Sequence, residues 1–281
     1  MKICVSTYSY GNYLKENGIM WIIEKTAEMG FDGIEFVHAE WTNDLDLDIA
    51  RACREKCDEV GLEVASFCIG ADFINNYNDE DVNTLHRAVD FAAALGAPLM
   101  RHDITSGIRG KKHSIGYDDA LEIVVPRIRA LADYAASMGV GTMTENHGYF
   151  SQDVLRVEKL INTVAHDNFG ALVDIGNFMC ADEDPVKSVS ILAPYAKHVH
   201  AKDFYYKSGN EIAPGEGWFR TRALNYLRGA IIGHGDCKAW QSVQILKKAG
   251  YDGYISVEFE GAEDKLTGIR IGRDNLERFI G

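Results

Sequence analysis

The sequence has no apolar run near the roughly 18 residues of a membrane span. Its opening, Met1-Lys2-Ile3-Cys4-Val5-Ser6, runs straight into a strand-like segment, without a basic stretch followed by a long apolar one. Neither a membrane anchor nor a secretory leader is expected, and the chain reads as cytoplasmic. No pair among Cys4, Cys53, Cys57, Cys68, Cys180 and Cys237 forms C-x-x-C. These residues read as reduced thiols packed as small hydrophobes, with Cys53 and Cys57 on one helix face. Basic residues are scarce: 29 Lys and Arg against 42 Asp and Glu give a net charge of -13. That balance repels nucleic acid and anionic membranes. The one basic cluster, Arg109-Gly110-Lys111-Lys112, reads as a solvated loop. Linkers and low-complexity segments are also missing. The 281 residues, 46% apolar and 25% charged, are therefore read as a single domain over 1–281 that buries a large core without staples.

What is present is a repeated unit. A helix-like segment ends at a glycine and an apolar run follows, at Met29-Gly30-Phe31, Val60-Gly61-Leu62, Leu95-Gly96-Ala97, Met138-Gly139-Val140 and Ala249-Gly250-Tyr251. The long last interval has room for three units, with one turn expected near Phe169-Gly170. Strands are expected at 2–7, 33–37, 62–67, 98–103, 140–145, 169–175, 196–202 and 254–259. Between them lie helical spacings such as Ile49/Cys53/Cys57/Val60, Val82/Leu85/Val89/Ala92 and Leu121/Val124/Ile128/Leu131. Pro126 predicts a kink or a new helix start, and residues 203–235 read as a long loop rich in glycine and aromatics. Eight strands alternating with helices predict an α/β fold, a single (β/α)8 TIM barrel. A doubly wound sheet is the runner-up, but Thr7-Tyr8-Ser9-Tyr10-Gly11 carries no dinucleotide loop.

In such a barrel the working residues sit at the C-terminal ends of the strands. Four successive strands end in Glu145, Asp174, His200 and Glu258, each flanked by apolar residues. Buried carboxylates need a cation or hydrogen bonds. One divalent metal on these four residues serves all three carboxylates, and three oxygens with one imidazole suit Mn foremost, with Mg, Co or Zn as alternatives. His198, two residues before His200, reads as a core histidine.

The strand ends Glu145-Asn146-His147-Gly148 and His198-Val199-His200-Ala201-Lys202-Asp203, with Gly233-His234-Gly235-Asp236 before the last helix, resemble the sugar isomerase/epimerase superfamily with a xylose-isomerase-like barrel. The likeness spans nearly the whole chain and implies a metal on the same four residues and sugar or cyclitol chemistry. Ketose 3-epimerases of that superfamily carry a histidine where Asn177 stands. The motifs look more like the inosose dehydratase and isomerase branch and the lyases that cleave 3-keto-glycosides. For the last group a small partner subunit is implied, and such barrels often form homo-oligomers. A DNA-repair endonuclease of the same superfamily needs several zinc ions and many more histidines at the strand ends. A two-metal aldose isomerase needs further acidic ligands.

The expected activity is a metal-dependent isomerase or epimerase of a sugar, keto-sugar or cyclitol. It removes a proton beside a carbonyl and stabilises the resulting enediolate with the metal. Elimination at the same site, as a dehydratase or lyase, is the alternative, and a non-catalytic sugar-binding barrel is the second. Glu145 and Glu258 are the expected acid/base pair, with His147 as a third proton carrier and Lys202 on a leaving hydroxyl. Glu35, His102 and Asn177 are candidates for binding polyol hydroxyls. Trp218 and Phe219 are candidates for an apolar lid, and Arg220 and Arg222 for a phosphate.

Overall fold

The computed structural model describes every residue except 43, 76, 106 and 108–115. The expected basic loop at 109–112 lies outside the described residues. Eight parallel strands close into a barrel: β1 Lys2–Ser6, β2 Gly33–Val37, β3 Glu63–Ile69, β4 Leu99–His102, β5 Gly141–Glu145, β6 Phe169–Asp174, β7 Ala196–Ala201 and β11 Tyr254–Val257. Each pairs with its neighbours in sequence, and β1 closes the ring against β11, with Val5 opposite Val257. The expected strands are met within one or two residues at each end.

Helices cover the outside, and their ends explain the glycine pattern. Gly61 and Gly96 sit in the left-handed region (φ 72° and 77°) after the helices Leu47–Val60 and Asp79–Leu95, which Asp46 and Asn78 cap at the start. The helix Tyr117–Ser137 runs through Pro126 without the break expected there. Pro126 and Glu122, whose carbonyl the proline leaves without an N–H, are both exposed, so water can serve that carbonyl. The turn expected at Phe169-Gly170 falls instead at Ala165, which adopts φ 44° after the helix Val154–Val164, and Phe169 already opens β6.

The 203–235 segment is not a loop. It forms an antiparallel sheet of β8 Asp203–Lys207, β9 Phe219–Arg220 and β10 Tyr226–Ala230, ordered β8-β10-β9. The sheet buries Phe204, Tyr226 and Leu227 and is inserted between β7 and the seventh crossover helix, Ala239–Lys248. Asp203 anchors it: the carboxylate accepts backbone N–H groups from Phe204 at 2.9 Å, Gly233 at 2.8 Å, Gly235 at 3.0 Å and Cys237 at 3.0 Å. This explains the Gly-His-Gly-Asp motif structurally. A Cβ on Gly235 would lie 2.5 Å from the Phe204 carbonyl oxygen, so no larger residue permits this approach. Asp203→Ala leaves these N–H groups without an acceptor and is expected to cost about 3 kcal/mol. A denaturant titration reads this as a lower midpoint, and an unchanged midpoint would refute the anchoring role.

Two apolar layers result from the strand period of two. Odd or even residues that face the helices, such as Ile34, Phe36, Phe67, Val173, Val199 and Ile255, join one large shell. The opposite faces fill the barrel interior, where Cys68, Met143 and Leu172, with Val37 and Leu99, make a small separate cluster. Two residues further along those strands come Arg101, Glu145 and Asp174. The apolar plug thus forms the floor under a polar layer at the C-terminal mouth. All six cysteines are unpaired and buried. No helix among the described residues is long and apolar enough to cross a membrane.

Candidate metal centre

The C-terminal mouth holds a cavity of about 390 Å³ whose lining includes Tyr8, Arg101, Glu145, His147, Asn177, His200, Lys202, Phe219, Glu258 and Glu260. At its floor Glu145, Asp174, His200 and Glu258 each present a ligand atom, all within 4.8 Å of one another. His200 Nδ1 lies 3.2 Å from Glu258 Oε2, 3.7 Å from Glu145 Oε1 and 3.8 Å from Asp174 Oδ2. The four side chains predicted from the strand ends therefore converge on one point. Register makes this possible: Asp174 and Ser256 both pair with His200 across β7.

Hydrogen bonds hold the carboxylates in place. Asn177 donates its side-chain amide to Glu145 Oε1 at 2.8 Å, and its backbone N–H to Asp174 Oδ1 at 2.8 Å. Asn146 exchanges two bonds of 2.9 Å with the Asp174 backbone and ties β5 to β6. Lys202 lies 2.8 Å from Glu258 and 3.3 Å from Asp174. The neighbouring Asp203 is no rival for Lys202, since its carboxylate is committed to backbone N–H groups. Gly176 leaves room for it, because a Cβ there would lie 2.9 Å from Lys202 Cβ.

Arg101 went unnoticed in the sequence and is central here. Its guanidinium lies 2.7 Å from Glu145 Oε2 and 2.8 Å from Asp103 Oδ1. His102, predicted to touch substrate, faces the other way. It is buried between Phe73 and Phe169, with ring centroids 5.2 and 5.8 Å away, and burial lowers its pKa to about 4. Strand parity decides between the two: Leu99 and Arg101 share the inner face, and His102 does not. Tyr8 was also missed. It follows β1, lines the cavity and donates to Glu260 at 3.2 Å.

Glu35 is corrected likewise. It is fully buried below the cavity, with its carboxylate 2.9 Å from both His198 Nε2 and His200 Nε2. His198 is the buried histidine expected. Asn177 does reach the cavity, but its side chain is spent on Glu145 and Lys202. Of the two lid candidates Phe219 lines the cavity and packs edge-on against Phe204, whereas Trp218 lies outside it under Arg228. Arg220 bonds Tyr226 Oη at 2.8 Å and Arg222 bonds Asp153 and the Tyr149 carbonyl, so neither faces the cavity as a phosphate ligand. His147 stands at the rim with its side chain 51% exposed, its Nδ1 3.3 Å from Asp103 Oδ1. That hydrogen bond raises the His147 pKa above its ordinary value.

The electrostatics show what the centre lacks among its own side chains. Four buried carboxylates, Glu35, Glu145, Asp174 and Glu258, share the region with two buried permanent cations, Arg101 and Lys202. Burial raises the Asp174 pKa to about 6 even though Lys202 and His200 oppose it. Burial would raise Glu258 too, but Lys202 and His200 outweigh it and bring that carboxyl to about 2. Asp174 Oδ2 and Glu258 Oε2 share Lys202 as their ion-pair partner, whereas the buried His200 Nδ1 finds no hydrogen-bond partner. Buried polar atoms of this kind are costly unless something pairs them. With His200 neutral, a divalent cation among three carboxylate oxygens and the imidazole nitrogen satisfies that nitrogen and balances the two excess negative charges, so the residues fit such an ion.

A closed parallel barrel with a carboxylate-rich centre at its C-terminal mouth has that centre where barrels of this type carry their working residues. Residues 23–279 match the family described as xylose isomerase-like TIM barrel, and the chain belongs to it. The family comprises enzymes of the sugar isomerase and dehydratase type, acting on small sugar-like substrates. Inosose dehydratase from Clostridium perfringens is 23% identical over 261 residues, 88% of this chain and 84% of that protein. The probable 3-DHS dehydratase AsbF of petrobactin synthesis from Bacillus anthracis superposes with a TM-score of 0.76 at 18% identity, covering 99% of both chains. The IOLI protein, whose crystal structure has a bound zinc atom, superposes with a TM-score of 0.77 at 17% identity, covering all of this chain and 98% of that one.

Proposed function

We propose that this chain is a divalent-metal-dependent lyase that removes water from an uncharged keto-sugar or keto-cyclitol. The observation that carries this reading is the convergence of Glu145, Asp174, His200 and Glu258 within 4.8 Å at the cavity floor. These four would hold the ion. When bound, it supplies a Lewis acid that polarises a substrate carbonyl and acidifies the adjacent C–H. The IOLI protein's zinc supports a metal in a barrel of this fold, with Mn, Mg and Co equally suited to the oxygen-rich ligand set here.

The protein's own groups favour elimination over epimerisation. Epimerisation by Glu145 and Glu258 from opposite faces needs two free carboxylates. Here Arg101 clamps Glu145 and Lys202 clamps Glu258, at 2.7 and 2.8 Å. Each cation favours the ionised carboxylate and weakens it as a base. His147 is the better proton carrier. Asp103 accepts from its Nδ1, which leaves Nε2 to exchange a proton at the cavity rim. In the proposed reaction a base takes the C–H proton beside the carbonyl. The electron pair forms a carbon–carbon double bond, and the β-hydroxyl departs as water after receiving a proton. Lys202 and Tyr8 are the donors on the cavity wall for that hydroxyl. Inosose dehydratase and the probable 3-DHS dehydratase, both similar to this chain, support this reading.

The test is a mass measurement. Metal-loaded protein is incubated with scyllo-inosose and with a set of free ketoses, and products are separated. A product lighter by one water supports the lyase. A product of unchanged mass that carries deuterium from D₂O assigns the site to isomerisation or epimerisation instead. Unchanged substrate without exchange across the set would refute the enzymatic reading and point to a sugar-binding barrel.

A further inference from the structure

We infer that Glu35 is the positioning residue that decides which nitrogen of His200 binds the metal, an inference that rests on the metal-centre reading above. Glu35 lies outside the cavity lining, at no solvent exposure, on β2 across the barrel interior from β7. Its Oε2 accepts from Ser66 Oγ at 2.7 Å and lies 2.9 Å from His198 Nε2. His200 Nε2 lies 2.9 Å from the same oxygen. One carboxylate thus clamps two rings that sit two residues apart on one strand.

The chemistry of the partners fixes the roles. An ionised carboxylate only accepts hydrogen bonds, so each nitrogen facing Glu35 carries a proton. A neutral imidazole has one N–H. With that N–H at Nε2, the His200 lone pair is at Nδ1, and Nδ1 faces Glu145, Asp174 and Glu258. Three more acceptors cannot satisfy a lone pair, whereas a cation between them can. Glu35 is also an unexpected residue for mere packing. Around the same interior Cys68, Met143 and Leu172 fill space without a charge to bury. A carboxylate behind a metal-binding histidine orients the ring, strengthens its basicity and typically contributes 10- to 100-fold in metal affinity.

The experiment uses the whole chain with ¹⁵N-labelled histidine and Zn²⁺ as the probe. Long-range ¹H–¹⁵N correlation of zinc-loaded wild type should show His200 protonated at Nε2 and shifted by zinc at Nδ1. Chelator competition should show Zn²⁺ affinity lower by about 10- to 100-fold in Glu35→Gln, with Glu35→Asp recovering part of it. Zinc on Nε2 of His200, or a folded Glu35→Gln with wild-type affinity, would overturn the inference. If Glu35→Gln does not fold, the wild-type spectrum still decides, because it needs no variant. Absence of any zinc-induced histidine shift in wild type would instead bring down the metal centre, a failure distinct from that of Glu35.

Discussion

Glu258→Gln will purify folded, without stoichiometric metal, and its turnover will fall by at least about 10³-fold. The substitution exchanges one of three anionic ligands for a neutral amide at nearly constant volume. It also frees Lys202, whose nearest carboxylate is Glu258 at 2.8 Å and whose next is Asp174 at 3.3 Å. The ammonium can then move towards Asp174 and compete for the place a cation would take. Glu258 lies just beyond the end of β11, above the apolar shell, so the barrel loses no packing. Loss of the buried Lys202 pair should lower unfolding stability by about 1 to 3 kcal/mol, short of unfolding the barrel. His200→Ala should lose metal too, but at a larger stability cost, since it removes a buried ring and leaves Glu35 with His198 and Ser66 alone. Elemental analysis of wild type and Glu258→Gln after identical handling, with and without added Mn²⁺, measures the effect. Equal metal content in the two proteins would place the metal elsewhere.

What the sequence revealed and what it hid have physical causes. The eight strands were legible because apolar runs bounded by helix-ending glycines recur along the chain. The four converging side chains were legible because each ends such a run. The errors come from the strand period of two. Glu35 stands mid-strand in β2 and His102 ends β4; depth places the first beneath the cavity and parity turns the second to the helix side. Applied from Leu99, the same parity picks out Arg101. The 203–235 sheet was hidden because its strands are short and antiparallel, β9 having only the residues Phe219 and Arg220, and because its anchor is the set of backbone N–H groups on Asp203. The left-handed turn at Ala165 carries no glycine to announce it. Tyr8 sits on a short 3₁₀ turn, Thr7–Tyr10, after β1 and belongs to no strand end.

His147→Gln separates proton transfer from metal binding. His147 is not among the four converging side chains, so the variant should keep a full complement of metal. Its loss leaves no buried charge unpaired, because Asp103 retains Arg101 at 2.8 Å. Glutamine can still hydrogen-bond Asp103, but it cannot carry a proton between substrate and water. The exchange of the substrate C–H with D₂O should therefore slow by about 10²- to 10⁴-fold, the usual contribution of a positioned acid or base. Asp103→Ala should show the same defect in weaker form, since His147 remains but loses the bond that holds its Nδ1. The opposite wall of the cavity offers the rival assignment: Tyr8 bound to Glu260 at 3.2 Å, with Lys202 3.9 Å from the same carboxylate. Exchange at the wild-type rate in metal-loaded His147→Gln would transfer the base to that wall. Exchange lost with metal retained leaves His147 as the proton carrier and that wall as the donor to the departing hydroxyl.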